Sequence, residues 1–187
     1  MSFEDEDGKK PNPLFNKNRD GGYENNCQSC VVAYEARRRG FDVEAKPFNK
    51  LGVAGQVARD TRKVWNKKGG DVLPEFELIK IPKTSQELES TLENIVDSNA
   101  RYHFGFDWKN GGAHIVTSER TGGVLCLYDP QSSKLFKNSS LRNYLSAIEL
   151  PKTNKNGKVT GRFIELLRVE NLAINYDTAG EILKDSV

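Results

Sequence analysis

The stretch Asn25–Gly40, NNCQSCVVAYEARRRG, decides the fold predicted for this chain of 187 residues. Asparagine is a strong N-cap, so a helix is expected to begin at Asn25 or Asn26, and Gly40 stands where a C′ glycine would end it. Arg37–Arg39 fill the last turn and complement the helix dipole, which indicates a solvated helix end. One helical face carries Cys27, Cys30, Val31 and Tyr34.

A cysteine in the first turn of a helix is well placed to act as a nucleophile. The unpaired N–H groups and the positive end of the dipole stabilise a thiolate, which is the reactive form of cysteine. We expect Cys27 to be the nucleophile and Cys30, one turn further on, to pack against the core. For either cysteine the alternative is a small buried side chain without chemistry.

Two histidines are available as a general base. His114 opens a predicted strand just after a glycine pair, where a substrate can approach closely. His103 lies in the middle of a strand; it is the alternative base, but we expect it to be structural. Asp129 follows the next strand of the chain, so it can meet His114 and orient its ring. The alternative for Asp129-Pro130 is a plain turn.

The remaining pattern predicts an α+β protein. Thr84 and Glu87 form a capping-box signature before a helix over 85–98. Short glycine-containing loops join strand-like runs at 102–108, 113–118 and 123–128, which predicts an antiparallel meander. Other strands are predicted at 41–45, 76–81 and 163–169, and other helices within 48–66 and 141–148. Helices precede the sheet, so we expect an N-terminal helix carrying cysteine to pack on an antiparallel sheet.

Composition narrows the function classes. The 28 basic and 26 acidic residues give a net charge of +2, which argues against a nucleic-acid or membrane-surface partner. No apolar run approaches the ~20 residues that span a bilayer, and the acidic N-terminus has no signal-peptide core. Three cysteines indicate reduced thiols in a cytoplasmic compartment. We expect a flexible or loosely docked arm at 1–22, a catalytic domain at 23–175, and a tail or short helix at 176–187.

Two other uses of the cysteines fit the sequence less well. The Cys-x-x-Cys spacing of Cys27 and Cys30 occurs in redox motifs, but no strong apolar strand precedes it. A zinc site would need His103 and His114 as further ligands, and their spacing is poor for zinc. No phosphate-binding loop or dinucleotide fingerprint occurs. We therefore expect neither a cofactor nor a metal.

Three motifs together resemble a known family, the papain-fold toxin domains of bacterial polymorphic toxins, which are also appended to some phage minor head proteins. The motifs are NCQSCVVAYEARRRGFDVEA from Asn26, GGAHIV from Gly111 and YDPQ from Tyr128. The family is similar to glutamine deamidase effectors with a Cys-His-Asp triad. The resemblance covers about residues 23–131, more weakly 163–175. It implies a papain-like fold with Cys27 as nucleophile, His114 as base and Asp129 as orienting group.

The resemblance implies a protein-glutamine deamidase, a toxin or effector whose partners are a target protein with a reactive glutamine and an immunity protein. It implies action in the cytoplasm of the target or producing cell, after delivery within a larger secreted or phage protein. Because no glutamine upstream of Cys27 completes an oxyanion hole, the backbone N–H of Cys27, with Asn26 or Gln28, is the oxyanion candidate, and Gln131 is a pocket candidate. Gln131 could also support Asp129.

Two alternative functions stay open. One is a cysteine protease or isopeptidase that uses the same triad on a main-chain or isopeptide bond. The other is a catalytically idle binding or structural module of a phage or toxin particle. The sequence does not specify an oligomeric state.

Overall fold

The computed structural model describes residues 10–14, 22–57, 59–67, 70, 72–153, 156–157, 159–160 and 163–186. It confirms the predicted α+β fold, in which the helix that carries Cys27 packs on an antiparallel sheet. Of the predicted arm at 1–22, only residues 10–14 and 22 are among those described, and the rest of that prediction lies outside them.

The described residues form both α-helices and β-strands along the chain. The helices of the described ranges are α1 (Cys27–Arg38), α2 (Gly52–Val57), α3 (Ser85–Ile95), α4 (Ser139–Leu145) and α5 (Tyr176–Ile182), with a 3-10 helix at Thr61–Val64. The strands are β1 (Val43–Ala45), β2 (Trp65–Lys67), β3 (Glu77–Lys80), β4 (Arg101–Asp107), β5 (Ala113–Thr121), β6 (Val124–Asp129), β7 (Lys134–Lys137), β8 (Lys152–Thr153), β9 (Val159–Thr160), β10 (Phe163–Arg168), β11 (Leu172–Ile174) and β12 (Leu183–Asp185).

A six-stranded antiparallel sheet forms the centre of the molecule, in the order β3-β10-β4-β5-β6-β7. The predicted meander is its middle, β4-β5-β6. Gly111 and Gly112 have φ values of 90° and 88°, which suit the turn between β4 and β5. Smaller antiparallel pairs join β1 with β12, β2 with β11, and β8 with β9. The segment 176–187 contributes α5 and β12 to this arrangement, Val187 lying outside the described residues.

The alternation of side chains along the sheet builds two separate cores. On one face Phe104 and Phe106 pack with buried leucines of α3 and α4. On the other face Leu167 packs in a cluster with Trp65 and α1. Thr84 accepts a hydrogen bond from the Glu87 backbone and Glu87 accepts one from Thr84, so the predicted capping box at the start of α3 is confirmed.

The basic end of α1 differs from its prediction. Arg37, Arg38 and Arg39 are only 5%, 16% and 20% exposed, so the interpretation as a solvated helix end was wrong. Arg39 donates to the carbonyl oxygens of Val169 and Leu172, which tie α1 to the segment after β10. The prediction missed this because several of the groups that cover the arginines, such as Glu119 and the carbonyl oxygens of Val169 and Leu172, lie far away in the chain.

The Glu35 carboxylate joins α1 to the sheet through a buried ion network. It is 1% exposed and accepts hydrogen bonds from Arg39 Nε at 2.8 Å and from Arg101 Nε and Nη2 at 2.6 and 2.7 Å. Burial opposes its ionisation, but these arginines outweigh burial and lower its pKa. The guanidinium groups of Arg39 and Arg101 therefore share the buried Glu35 carboxylate as a counterion.

Replacing Glu35 with glutamine is expected to destabilise the protein by about 3 kcal/mol, because two partly buried guanidinium groups lose their counterion. Urea unfolding at neutral pH measures the loss. Glu89→Gln is the matched control: its partner Arg142 is 71% exposed, so the same change should cost less than about 1 kcal/mol. Equal losses in the two variants would contradict the network's role.

Candidate active site

The start of α1 presents Cys27 to the solvent while burying its neighbour Asn26. Cys27 is partly exposed and free of any disulfide, whereas Asn26 is fully buried. Asn26 occupies the N-cap position that the sequence predicted, but its side chain makes no capping hydrogen bond. Cys27 therefore stands in the first turn of a 12-residue helix, at the positive end of its dipole.

The other two predicted residues come from neighbouring strands. His114 is the second residue of β5, and Asp129 is the last residue of β6. The pairing of β5 with β6 ends at Thr117 and Tyr128, so the first residues of β5 diverge from β6. His114 and Asp129 lie at this opening.

The structure brings Cys27, His114 and Asp129 together. His114 Nε2 lies 3.3 Å from Asp129 Oδ2, and His114 is also hydrogen-bonded to the Cys27 side chain. Because Nε2 faces Asp129, the ring nitrogen left for Cys27 is Nδ1. His114 thus stands between a thiol and a carboxylate, which is the arrangement that a base with an orienting group requires.

The surroundings of His114 favour the imidazolium. Burial works against a charge on the ring, but the hydrogen bonds to Asp129 and Cys27 outweigh burial and raise the pKa of His114 to about 9. Burial likewise opposes the charge of Asp129, and hydrogen bonds from His114 and Ser132 lower its pKa. At neutral pH the pair is therefore an imidazolium beside a carboxylate.

Ser132 and the loop backbone hold the Asp129 carboxylate in place. Ser132 Oγ donates to Asp129 Oδ2 at 2.7 Å, and the backbone N–H of Gln131 donates to Oδ1 at 3.0 Å. Both carboxylate oxygens of Asp129 are thus held by hydrogen bonds other than the one to His114. The sequence analysis missed Ser132, although an aspartate followed by a serine three residues later is a recognisable turn pattern.

Aromatic rings line the buried side of His114. Trp108 stacks on the imidazole with 5.6 Å between ring centroids and 25° between planes, and Phe106 meets it edge-on at 5.8 Å. Tyr144 of α4 contacts the far edge of Trp108. A stacked indole fixes the orientation of the imidazole and attracts it when it is charged. The sequence analysis predicted a strand over 102–108 but not the contact of its aromatic residues with His114.

The oxyanion and pocket candidates have different surroundings. The side chains of Asn26 and Gln131 are buried and bonded to each other, Gln131 Nε2 donating to Asn26 Oδ1 at 3.3 Å. Gln28 follows Cys27, and its buried Oε1 has no hydrogen-bond partner among the described residues. An amide oxygen accepts rather than donates, so this atom suits a substrate N–H rather than an oxyanion.

Cys30 lies in a different environment from Cys27. It is fully buried, and its Sγ donates to Asn26 Oδ1 at 3.3 Å. Burial, and next the proximity of Cys27, raise the pKa of Cys30 well above the ordinary value of a thiol. Cys30 therefore remains a protonated, packed side chain at neutral pH.

His103 lies on the opposite face of the sheet from His114. It is fully buried and meets the Trp65 ring edge-on at 5.6 Å. Burial lowers its pKa to about 4, although the nearby Glu35 carboxylate acts in the other direction. Within the described ranges, no group of three or more His, Cys, Asp or Glu side chains is arranged to hold a metal ion.

The buried His103 should make the protein acid-sensitive. Its pKa is about 4 in the folded state and near 6.5 when exposed, so the unfolded chain binds the proton more readily. This contribution to stability is complete above pH 6.5. It is lost as the pH falls toward 4, at a cost of up to about 3 kcal/mol.

His103→Phe keeps an aromatic ring beside Trp65 and removes the titrating group. Urea unfolding at about pH 7 and about pH 4.5 should show a smaller acid loss in this variant than in the wild type. The same acid loss in both proteins would mean that other groups cause it.

The described part of the chain contains no helix both long and apolar enough to cross a membrane. No family model matches the sequence, and no curated protein matches it. The fold is similar to the crystal structure of the Pseudomonas avirulence protein AvrPphB, with a TM-score of 0.37 and 12% sequence identity, over 81% of this chain and 70% of that chain. A TM-score this low assigns no function to the present chain.

Proposed function

We propose that this chain is a cysteine hydrolase that works by thiol acyl transfer. Cys27 is the nucleophile, His114 the general base and acid, and Asp129 the group that orients His114. The observation that carries the proposal is the position of His114, hydrogen-bonded to the Cys27 side chain and 3.3 Å from Asp129 Oδ2. A base that contacts a nucleophile on one side and an orienting group on the other is the signature of covalent acyl transfer.

The proposed cycle begins with the proton of Cys27 already on His114, so that a thiolate stands beside the imidazolium. The thiolate attacks the carbonyl carbon of an amide, and the carbonyl oxygen becomes an oxyanion near the N–H groups that begin α1. His114 then gives its proton to the leaving nitrogen, and the C–N bond breaks to leave a thioester on Cys27. Water, deprotonated by His114, attacks the thioester and releases the acid and the free thiol.

We propose a protein glutamine side chain as the substrate, which makes the leaving group ammonia and the product a glutamate. The resemblance to deamidase-like toxin domains supports this choice, and Gln28 Oε1 supports it independently. This buried acceptor belongs to the residue that follows Cys27 and has no partner among the described residues, and a primary carboxamide brings N–H donors for it. The implied partners are a target protein and an immunity protein.

Incubating the protein and its Cys27→Ala variant with a cell lysate tests the proposal. Peptide mass spectrometry should find glutamine converted to glutamate at one or a few sites, only with the wild type. New peptide termini without conversion would replace the deamidase with the protease or isopeptidase. No difference between the two proteins would favour the binding module, provided that Cys27 also alkylates no faster at about pH 6 than a free peptide thiol.

A further inference from the structure

Three buried amide side chains form a cluster beneath the candidate active site, which we call the amide cluster: Asn12, Asn26 and Gln131. They are 2%, 0% and 7% exposed. They come from three separate parts of the chain: the segment 10–14, the residue before α1, and the loop after β6. Their meeting point is Asn26 Oδ1, which lies 3.3 Å from each of Asn12 Nδ2 and Gln131 Nε2.

Two members of the amide cluster lie one or two positions along the chain from residues of the candidate active site. Asn26 directly precedes Cys27, and its Nδ2 is anchored on the carbonyl oxygen of Lys46 at 3.0 Å. Gln131 lies two residues after Asp129, and its own backbone N–H donates to the Asp129 carboxylate. The cluster therefore joins the backbone that carries the nucleophile to the backbone that carries the orienting group.

Asn12 bridges the two sides. Its Nδ2 lies 3.0 Å from the carbonyl oxygen of Tyr23, 3.3 Å from Asn26 Oδ1 and 3.3 Å from the carbonyl oxygen of Gln131. Two hydrogens serve three acceptors, so the bonds are shared and depend on the position of this one group. The preceding residue is also fixed, since the Ala45 N–H donates to the Pro11 carbonyl oxygen at 2.9 Å.

We propose that Asn12 is a positioning residue, through which the segment 10–14 sets the alignment of Cys27 with His114 and Asp129. This inference rests on the proposed function and adds a part of the chain that the sequence analysis treated as a flexible or loosely docked arm. Small displacements of a nucleophile from its base are costly in rate, so a bridge that spans both backbones bears directly on reactivity. A purely structural role for Asn12 would predict lost stability and unchanged thiol reactivity.

Alkylation of Cys27 by iodoacetamide tests the role without any substrate. The rate is followed between about pH 5 and about pH 10 for the wild type, Asn12→Ala and Asn12→Leu, with Cys27→Ala to subtract other thiols. Asn12→Leu keeps the branched shape of the side chain and removes its donors, so it is the second variant if the alanine variant fails to fold. Leu14→Ala is the matched control, because Leu14 is a half-buried residue of the same segment without polar side-chain atoms.

We expect the Asn12 variants to alkylate about tenfold more slowly than the wild type at about pH 6, which corresponds to a shift of about one pKa unit in the thiol–imidazole pair. Leu14→Ala should stay within about twofold of the wild type. Asn12 variants that melt earlier but keep the wild-type pH profile would overturn the positioning role. A wild-type thiol that reacts like a free peptide thiol would overturn the proposed function itself, and is a separate result.

Discussion

Replacing Cys27 with alanine is expected to abolish turnover, lowering kcat by about 10⁴-fold to 10⁶-fold. The proposed reaction passes through a thioester on the Cys27 sulfur, and no neighbouring group among the described residues offers the same path. Cys30 is fully buried with a raised pKa, so it does not replace the lost nucleophile. The measurement is glutamine-to-glutamate conversion on the target identified from the lysate.

Cys30→Ser is the control for that result. A serine hydroxyl can still donate to Asn26 Oδ1, as the Cys30 thiol does, so the amide cluster keeps its bond. Activity should fall by less than about tenfold, with any loss tracking stability. A folded Cys30→Ser protein without activity, beside an active Cys27→Ala protein, would reverse the assignment of the two cysteines.

The elements found from sequence are those whose signals are local. The helix α1 was bounded by an N-cap position at Asn26 and a glycine at Gly40, and the structure has it at Cys27–Arg38. The capping box at Thr84 is likewise contained in four residues, and the meander depends on short glycine loops. In each case the interactions that stabilise the element lie within or beside it, so the local sequence pattern is sufficient to predict the element.

The features that the sequence missed depend on distant partners. The strand β12 pairs with β1 across almost the whole chain. Of the two predicted N-cap residues, Asn25 and Asn26, it is Asn26 that holds the position, and it makes no capping hydrogen bond. Its side chain is engaged instead by residues 14 and 105 positions away. Propensity describes what asparagine does near its own backbone, and long-range packing overrides it.

The candidate site was predicted in part from the sequence. Antiparallel order indicated that the end of β6 lies beside the start of β5, and the 3.3 Å contact between His114 and Asp129 lies at that opening, beyond the last paired residues. The residues that hold and shield the pair were not found. Trp108 follows β4 and stacks on His114 across the β4–β5 hairpin, in which Phe106 is paired with His114.

Asp129→Asn is expected to lower kcat by about 10²-fold to 10⁴-fold. The amide fills the same space, but it no longer supplies the negative charge that outweighs the burial of His114. The pKa of His114, about 9 in the wild type, should then fall. Because the proposed reaction needs a protonated His114 beside the thiolate, activity is lost as the pH rises through that pKa, and the alkaline limb of the rate profile should move to lower pH.

The pH dependence separates this effect from simple misfolding. Asp97→Asn is the matched control: Asp97 is 61% exposed and pairs with the surface residue Arg168, so its profile should overlay the wild type. Titration of the His114 ring by NMR gives the same pKa without turnover. An Asp129→Asn variant that kept its alkaline limb near pH 9 and lost less than tenfold in kcat would show that Asp129 is not the group that keeps His114 charged. The donors from Ser132 and the Gln131 backbone, which fix the Asp129 carboxylate, would then have only a structural role.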